Sequence, residues 1–353
     1  MGMKQTISNS QEKLLSIIVP CHNAEKWIAE TLNSLIGQTY KNIEILIVDD
    51  GSRDNSLDII KLYKNKDSRI QLFQQKNAGV SMARNSGIEQ ARGDYVAFCD
   101  ADDWMEANAY EEMIMSLEKE GADIVFCEFE RFWPNGKTQK TIETSFPQLK
   151  ENPKDIFAFW SSTAALTKDD TLYTKDIHGS ACRSVFKRDI LMRENIRFCA
   201  DLKFAEDQIF VLSYLACCKE ITYLQKHFMH YRGHTKPWVY HNMFDNHMNL
   251  LKEQLLILQK NEYYSDKRKK QIAGYLKCSA YFGIILPELM FKSDAEKRLR
   301  IYDKDNNFRQ LLTTYNFIQK YKTKREIQRL ALFILLKLRM FGLVKKFYKN
   351  KKY

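Results

Sequence analysis

The sequence predicts an α/β fold in which a Rossmann-like, mostly parallel sheet is flanked by helices and followed by a helical C-terminal region. Short apolar runs rich in Val and Ile recur over the first 130 residues, and segments of helical periodicity separate them. Two of these runs, at 43–48 and 95–99, end directly in clusters of aspartate. Ligands of open α/β sheets bind beyond the carboxyl ends of the strands. The sequence therefore predicts a ligand site built from carboxylates at one edge of a sheet.

The predicted elements alternate along the first half of the chain. Strands are expected at 14–19, 43–48, 70–73, 95–99 and 123–127, and helices at 24–38, 56–64, 81–91 and 110–120. Pro20 closes the first strand, Asn55 is a capping candidate for the second helix, and Gly93 closes the third.

Periodicity weakens between residues 128 and 233, where we expect a hairpin around 134–137 and a helix at 207–216. Beyond residue 237 the pattern is helical, with segments at 248–259, 268–285, 296–322 and 326–346. We accordingly divide the chain into a disordered lead at 1–13, a main domain at 14–235 and a helical region at 236–353.

The positive charge is concentrated at the C-terminus. Residues 319–353 hold 12 Lys or Arg and one acid, Glu326, which accounts for the whole net charge of +11. Basic groups around the apolar stretch 330–336 suit an anionic membrane surface. A solvated basic tail and a helix packed on the body are the alternatives. The remainder of the chain is charge-neutral with an acidic crevice, which argues against nucleic-acid binding.

The eight cysteines predict reduced thiols rather than disulfides or a zinc site. No two of them form a CxxC pair, and Cys217 and Cys218 are adjacent. The first ten residues are polar, and no apolar run approaches the roughly 20 residues that span a bilayer. We expect a cytoplasmic protein, peripheral on the inner face of the cell membrane if the tail binds there.

An ordered set of motifs resembles the family 2 glycosyltransferases with the GT-A fold. Five segments carry the motifs: residues 17–25 (Ile-Ile-Val-Pro-Cys-His-Asn-Ala-Glu), residues 35–44, residues 48–52 (Val-Asp-Asp-Gly-Ser), residues 77–87 and residues 100–104 (Asp-Ala-Asp-Asp-Trp). Segments 179–191, 205–210 and 231–232 are similar to the bacterial capsule and lipopolysaccharide branch of that family. The resemblance implies a nucleotide-binding half at 14–104 and an acceptor half at 105–235.

The same resemblance implies an inverting, metal-dependent transfer of a sugar from a UDP-sugar to a hydroxyl of a bacterial surface glycan or lipid-linked saccharide, with formation of a β-linkage. Asp50 would read the uracil edge, as a carboxylate accepts the ring N–H. The nucleotide-sugar-binding residues it implies are Pro20, Cys21, Asn23, Glu25, Asp49, Asp50, Arg84, Asp100 and Ala101. A strand-to-helix turn with capping acids is the structural alternative for residues 49–52, and a surface arginine is the alternative for Arg84.

Asp102 matches the metal ligand of the family, so the resemblance implies a divalent cation, Mn²⁺ or Mg²⁺. Residues i and i+2 of extended chain share a face, which lets Asp100 and Asp102 approach one ligand. His234 is a candidate further ligand, with a hydrogen-bonded structural histidine as the alternative. Trp104, Trp160, Tyr173 and Trp238 could stack on sugars or pack in the core.

Asp207 is the expected general base, which would take the proton of the acceptor hydroxyl. Acids at this position also stabilise a helix N-terminus, which is the structural alternative. A nucleotide-sugar-binding protein without transferase activity and a nucleic-acid-binding protein acting through the basic tail remain the competing functions. A nucleotidyltransferase would need a glycine-rich basic loop, which residues 19–23 lack.

Overall fold

A computed structural model of the chain describes residues 12–140, 180–233 and 243–270, together with 272–274, 276, 277 and 280. The chain divides into two compact units, one formed by 1–200 and 205–237 and the other by 201–204 and 238–353. The first unit contains the sheet and the acidic clusters. In the second unit, a helix runs over Met243–Lys260.

The strands described in the first unit form one mixed sheet. They are β1 (Leu15–Cys21), β2 (Ile43–Asp49), β3 (Ile70–Gln74), β4 (Tyr95–Phe98), β5 (Trp104–Met105), β6 (Ile124–Phe132), β7 (Thr138–Lys140), β8 (Ser184–Lys187) and β9 (Ile221–Arg232). Their order is β3-β2-β1-β4-β8-β6-β9-β5, with β7 paired to β6. Strands β3, β2, β1 and β4 run parallel, β8 is antiparallel to its two neighbours, and β9 is parallel to β6.

The parallel strands form the core of the unit, and every residue of β1, β2 and β4 is buried. Strands covered on both faces need apolar side chains at nearly every position, which explains their continuous Val and Ile runs. The described helices include α1 (Ile28–Ile36), α2 (Ser56–Lys66), α3 (Val80–Gln90), α4 (Ala109–Glu120), α5 (Arg188–Arg193), α6 (Glu206–Leu215) and α7 (Met243–Lys260).

Two glycines determine how α3 approaches the sheet. Gly79, with φ of +91°, precedes the first residue of the helix in a conformation that side chains disfavour. A Cβ at Gly87 would lie 2.3 Å from Cγ2 of Ile18, so only glycine allows α3 to pack this closely on β1. This contact packs the C-terminal half of α3 on the middle of β1, while the N–H of Gly79 at the other end of the helix binds Asp50 at the end of β2.

The α/β fold with its mostly parallel core is confirmed, as is the predicted hairpin, formed by β6 and β7. Strands β5, β8 and β9 have no counterpart among the predicted elements. Residues 281–353 lie outside the described residues, so the predicted helices there and the basic tail stay predictions. Over the stretches that are described, no helix combines the length and apolar character needed to cross a membrane.

Candidate active site

The two aspartate clusters lie at the same edge of the sheet. Strands β1, β2 and β4 are parallel, and the acids at 49–50 and 100–103 lie at or just beyond the carboxyl ends of β2 and β4. Parallel strands deliver their carboxyl ends to one edge, so the structure brings together the residues that the sequence pattern selected.

Asp50 is buried, and its carboxylate is held by three donors. Oδ1 accepts the N–H of Ala78 and the side-chain amide of Gln75, each at 2.8 Å, and Oδ2 accepts the N–H of Gly79 at 2.8 Å. Asp50 thereby ties the end of β2 to the segment that starts α3. Its contact with a uracil ring stays a prediction.

Hydrogen bonds also order the segments that follow β1 and β2. Asp49 is buried and accepts the N–H of Ser52 at 3.2 Å. Asn23 adopts φ of +52°, and its side-chain oxygen accepts the N–H of Arg53 at 2.8 Å. Glu25 accepts the backbone and side-chain N–H groups of Asn55 at 3.0 and 2.9 Å.

Pro20 and Cys21 are buried where β1 ends. Burial, with a contribution from the Asp49 charge, raises the pKa of the Cys21 thiol to about 12, so the sulfur is neutral at physiological pH. Both residues can therefore offer main-chain contacts to a ligand but no charge.

Arg84 is the centre of the charge network in this region. Its guanidinium lies 2.8 Å from Asp100, 2.5 Å from Asp207 and 3.3 Å from Glu206 (N to O), and the side chain is only 3% exposed. The Arg84 Cζ also lies 5.0 Å from the ring centroid of Phe198. A single cation therefore joins the Asp-x-Asp loop, defined here as residues 100–103, to the start of α6.

Asp207 has the pKa expected of a base that works near neutral pH. Burial raises the pKa of this carboxyl to about 7, and the charges of Glu206 and Asp100 act in the same direction. Arg84 and the N–H of Ala181, which lies 3.3 Å from Oδ2, oppose the shift. A carboxylate with such a pKa can accept a proton and release it again at pH 7.

The Asp-x-Asp loop concentrates negative charge. Asp103 is buried and accepts the N–H of Arg232 at 2.8 Å. Burial raises the pKa of the Asp103 carboxyl well above its usual range, and the charges of Asp100 and Asp102 add to the rise. Asp102 is partly exposed, and the neighbouring Ala101 is buried.

The donor set of this loop fits a divalent cation that brings phosphate oxygens with it. Mg²⁺ is commonly bound through one or two carboxylates plus phosphate oxygens, and Asp100 and Asp102 supply two carboxylates. Within the described ranges, no three His, Cys, Asp or Glu side chains are grouped to hold an ion by themselves. The candidate residues His234, Trp160, Tyr173 and Trp238 lie outside those ranges.

The structure also shows contacts near the site that the sequence did not predict. The side-chain amide of Asn85 both donates to and accepts from the main chain of Phe198, at 2.9 and 2.8 Å. Trp104 stacks on His230, with ring centroids 5.1 Å apart. The Asn85 contact spans 113 positions of sequence, so only an indication of long-range pairing could have revealed it.

Comparison with known proteins places these features in a family. The model of the family described as glycosyl transferase family 2 matches residues 16–193. EpsH of Bacillus subtilis, named as a glycosyltransferase, is 30% identical over 262 residues, which are 72% of each chain. YibD of Escherichia coli, named as an uncharacterized glycosyltransferase, is 32% identical over 273 residues, which are 73% of this chain and 74% of YibD.

Solved structures share the fold. TarS residues 1–349 of S. aureus, in complex with UDP-GlcNAc, superposes with a TM-score of 0.66 at 21% identity, covering 94% of this chain and 89% of TarS. The mannosyltransferase PcManGT of Pyrobaculum calidifontis, in complex with GDP-Man and Mn²⁺, gives a TM-score of 0.50 at 16% identity. The match covers 96% of this chain and 88% of PcManGT. At these identities the likeness concerns the fold alone.

Proposed function

The chain belongs to glycosyl transferase family 2, and on this premise we propose that it is an inverting, metal-dependent glycosyltransferase. The donor is a UDP-sugar that carries a hexose or N-acetylhexosamine. The acceptor is a hydroxyl of a bacterial surface glycan, such as a capsule, exopolysaccharide or lipooligosaccharide, and the product is a β-linkage.

The observation that carries the proposal is the contact of Arg84 with both Asp100 and Asp207. One guanidinium keeps the expected base beside the loop expected to bind the donor diphosphate. The anomeric carbon of a donor bound at that loop would lie between the two groups. A hydroxyl presented to Asp207 could then attack on the side away from the leaving diphosphate, as inversion requires.

In this reaction the acceptor oxygen forms a bond to the anomeric carbon while the bond from that carbon to the β-phosphate oxygen breaks. The electron pair of the broken bond stays on the departing UDP, and the hydroxyl proton goes to Asp207. Its pKa of about 7 suits this step, because the carboxylate is substantially ionised at neutral pH and basic enough to take a proton.

Asp100 and Asp102 would hold the divalent cation, which when bound supplies positive charge to the departing diphosphate. This use of the acids explains why carboxylates are crowded at 100, 102 and 103. Residues 20–25, 49 and 50, which lie at or just beyond the ends of β1 and β2, would contact the nucleoside. The structures of TarS with UDP and with UDP-GlcNAc support a uridine donor as the first choice to test.

The basic tail at 319–353 would hold the enzyme on an anionic membrane surface, where a lipid-linked acceptor is found. This assignment rests on sequence and is independent of the chemistry of the site.

A panel of nucleotide sugars tests the function. UDP-glucose, UDP-galactose, their N-acetyl forms and GDP-mannose are incubated with the protein and Mn²⁺, and release of nucleoside diphosphate is measured. We expect release from one or more UDP-sugars that is lost in EDTA and in the Asp207→Asn variant. Release from GDP-mannose alone would contradict the uridine assignment, and no binding or turnover of any donor would contradict the transferase assignment.

A further inference from the structure

We propose that Arg232 is a positioning residue that fixes the Asp-x-Asp loop in the geometry that binds the donor diphosphate. Arg232 is the last residue of β9. The role rests on the proposed function, because it concerns donor binding, but the contacts that define it are independent of Asp207.

Arg232 holds two successive residues of the loop. Its main-chain N–H donates to Oδ1 of Asp103 at 2.8 Å, and its Nε donates to the main-chain carbonyl of Asp102 at 3.0 Å. Any residue except proline could make the first bond. The second requires a side chain with a donor at this place, so it is the contact that substitution of Arg232 removes.

The guanidinium is itself fixed from three directions. Its Nη2 lies 2.5 Å from Oε2 of Glu30 in α1, and its Cζ lies 4.1 Å from the ring centroid of Trp27 and 4.8 Å from that of Trp104. The side chain is 17% exposed. A planar guanidinium can stack on aromatic faces while it donates hydrogen bonds along its edge, and a lysine ammonium cannot do both.

The loop is consequently held at both ends by arginines. Arg84 binds the carboxylate of Asp100, and Arg232 binds the carbonyl of Asp102. Three acids, at 100, 102 and 103, lie at or between these contacts, and like charges at this spacing repel one another. Without the Arg232 guanidinium, we expect the carboxylate of Asp102 to lose its position while the buried sheet keeps its structure.

Two variants of Arg232 separate the positive charge of the side chain from its contact with the loop. Arg232→Gln removes the charge, whereas Arg232→Lys keeps the charge and loses the planar guanidinium. Binding of UDP to wild type, Arg232→Gln and Arg232→Lys is measured by calorimetry with Mn²⁺ and with EDTA. In Mn²⁺ we expect UDP to bind about 10- to 100-fold more weakly to both variants, the range typical when a contact that orients a metal ligand is lost. In EDTA we expect the three proteins to bind UDP alike, whereas a general loss of fold would weaken both measurements.

Arg193→Gln is the matched control, since Arg193 in α5 pairs with Asp189 and Glu194 while its side chain is 58% exposed. It should bind UDP like the wild type under both conditions. If Arg232→Gln does not fold, the Glu30→Gln variant is measured in its place. Glu30→Gln removes the ionic partner of Arg232 and leaves Arg232 itself unchanged.

Hydrogen–deuterium exchange of the metal-free proteins decides the positioning role without a nucleotide. Residues 100–105 should exchange faster in Arg232→Gln than in the wild type, and α5 should be unchanged. Wild-type exchange in the loop together with wild-type UDP binding in Mn²⁺ would overturn the inference. If the wild type does not bind UDP at all, the proposed function fails, and faster exchange in the loop still supports the positioning role.

Discussion

Arg84 and Asp207 form an ion pair in which Nη1 and Oδ1 are 2.5 Å apart, although 123 positions separate the two residues in the chain. The pair joins helix α3, which packs on the parallel sheet, to the first turn of helix α6. The same guanidinium contacts Asp100, so a change at Arg84 should affect both Asp207 and the Asp-x-Asp loop.

Replacing Asp207 by Asn should lower turnover by about 100-fold or more, because the proton of the acceptor hydroxyl loses its acceptor. Affinity for UDP should change little, since the amide still fills the site beside Arg84. Steady-state kinetics with the best donor, combined with UDP calorimetry, measure the two effects. A near-normal rate would mean that the base is another residue.

The rate should depend on pH through the ionisation of Asp207. Because the ionised form is the base, kcat/KM should rise with pH and level off above about pH 7. Glu206→Gln removes a charge that raises this pKa, so its profile should level off at a lower pH. Identical midpoints in wild type and Glu206→Gln would contradict the assignment of this limb to Asp207.

Replacing Arg84 by Gln should destabilise the fold. The change leaves the carboxylates of Asp100, Glu206 and Asp207 without their shared cation. Loss of one partner from a buried ion pair costs about 3–5 kcal/mol, and we expect the lower end because these acids are 17–28% exposed. Urea denaturation measures the free energy of unfolding, and the exposed Arg193→Gln should stay within about 0.5 kcal/mol of the wild type. An equally small loss for Arg84→Gln would show that the acids relax apart.

Replacing Asp102 by Asn should abolish turnover that depends on Mn²⁺ and leave the thermal unfolding midpoint within a few degrees, because Asp102 is partly exposed. EDTA should have the same effect on wild-type turnover. Removal of a surface acid elsewhere, as in Asp189→Asn in α5, serves as the control. Full activity of wild type in EDTA would exclude a metal-dependent reaction.

Deleting residues 325–353 should release the protein from anionic liposomes, because each basic group near such a surface contributes about 1 kcal/mol. Sedimentation with vesicles of phosphatidylglycerol and of phosphatidylcholine measures the difference. Equal binding of both forms to the anionic vesicles would dismiss a membrane role for the tail, and retained donor hydrolysis would show that the catalytic unit is intact.

The sequence predicted the parallel core because its strands carry local signals. The apolar runs of β1, β2 and β4 are buried on both faces, and Gly79 ends the segment that leads into α3. Strand β9 was missed because its middle residues are exposed and its pairing with β6 is irregular, so its residues show neither a continuous apolar run nor strict alternation. Strand β5 has only two residues, and β8 (Ser-Val-Phe-Lys) has only two apolar residues, so neither forms an apolar run.

The acids at 49–50 and 100–103 were predictable for the same local reason, since they lie at or just after the ends of apolar strands, whereas Asp207 was predicted from the family resemblance. The contacts of Arg84 were not, because its partner acids at 206 and 207 lie more than 120 positions away. The resemblance implied that Arg84 contacts the nucleotide sugar. In the structure the guanidinium contacts three carboxylates, and contact with a nucleotide sugar stays a prediction.

A crystal structure of the protein soaked with UDP and Mn²⁺ would show whether the proposed donor site exists. We expect manganese on the carboxylate of Asp102 with the diphosphate of UDP beside it, and uracil against residues 20–25 and 49–50, with Asp207 facing the vacant sugar position. UDP bound at another surface, or an empty cleft at saturating UDP and Mn²⁺, would contradict this expectation.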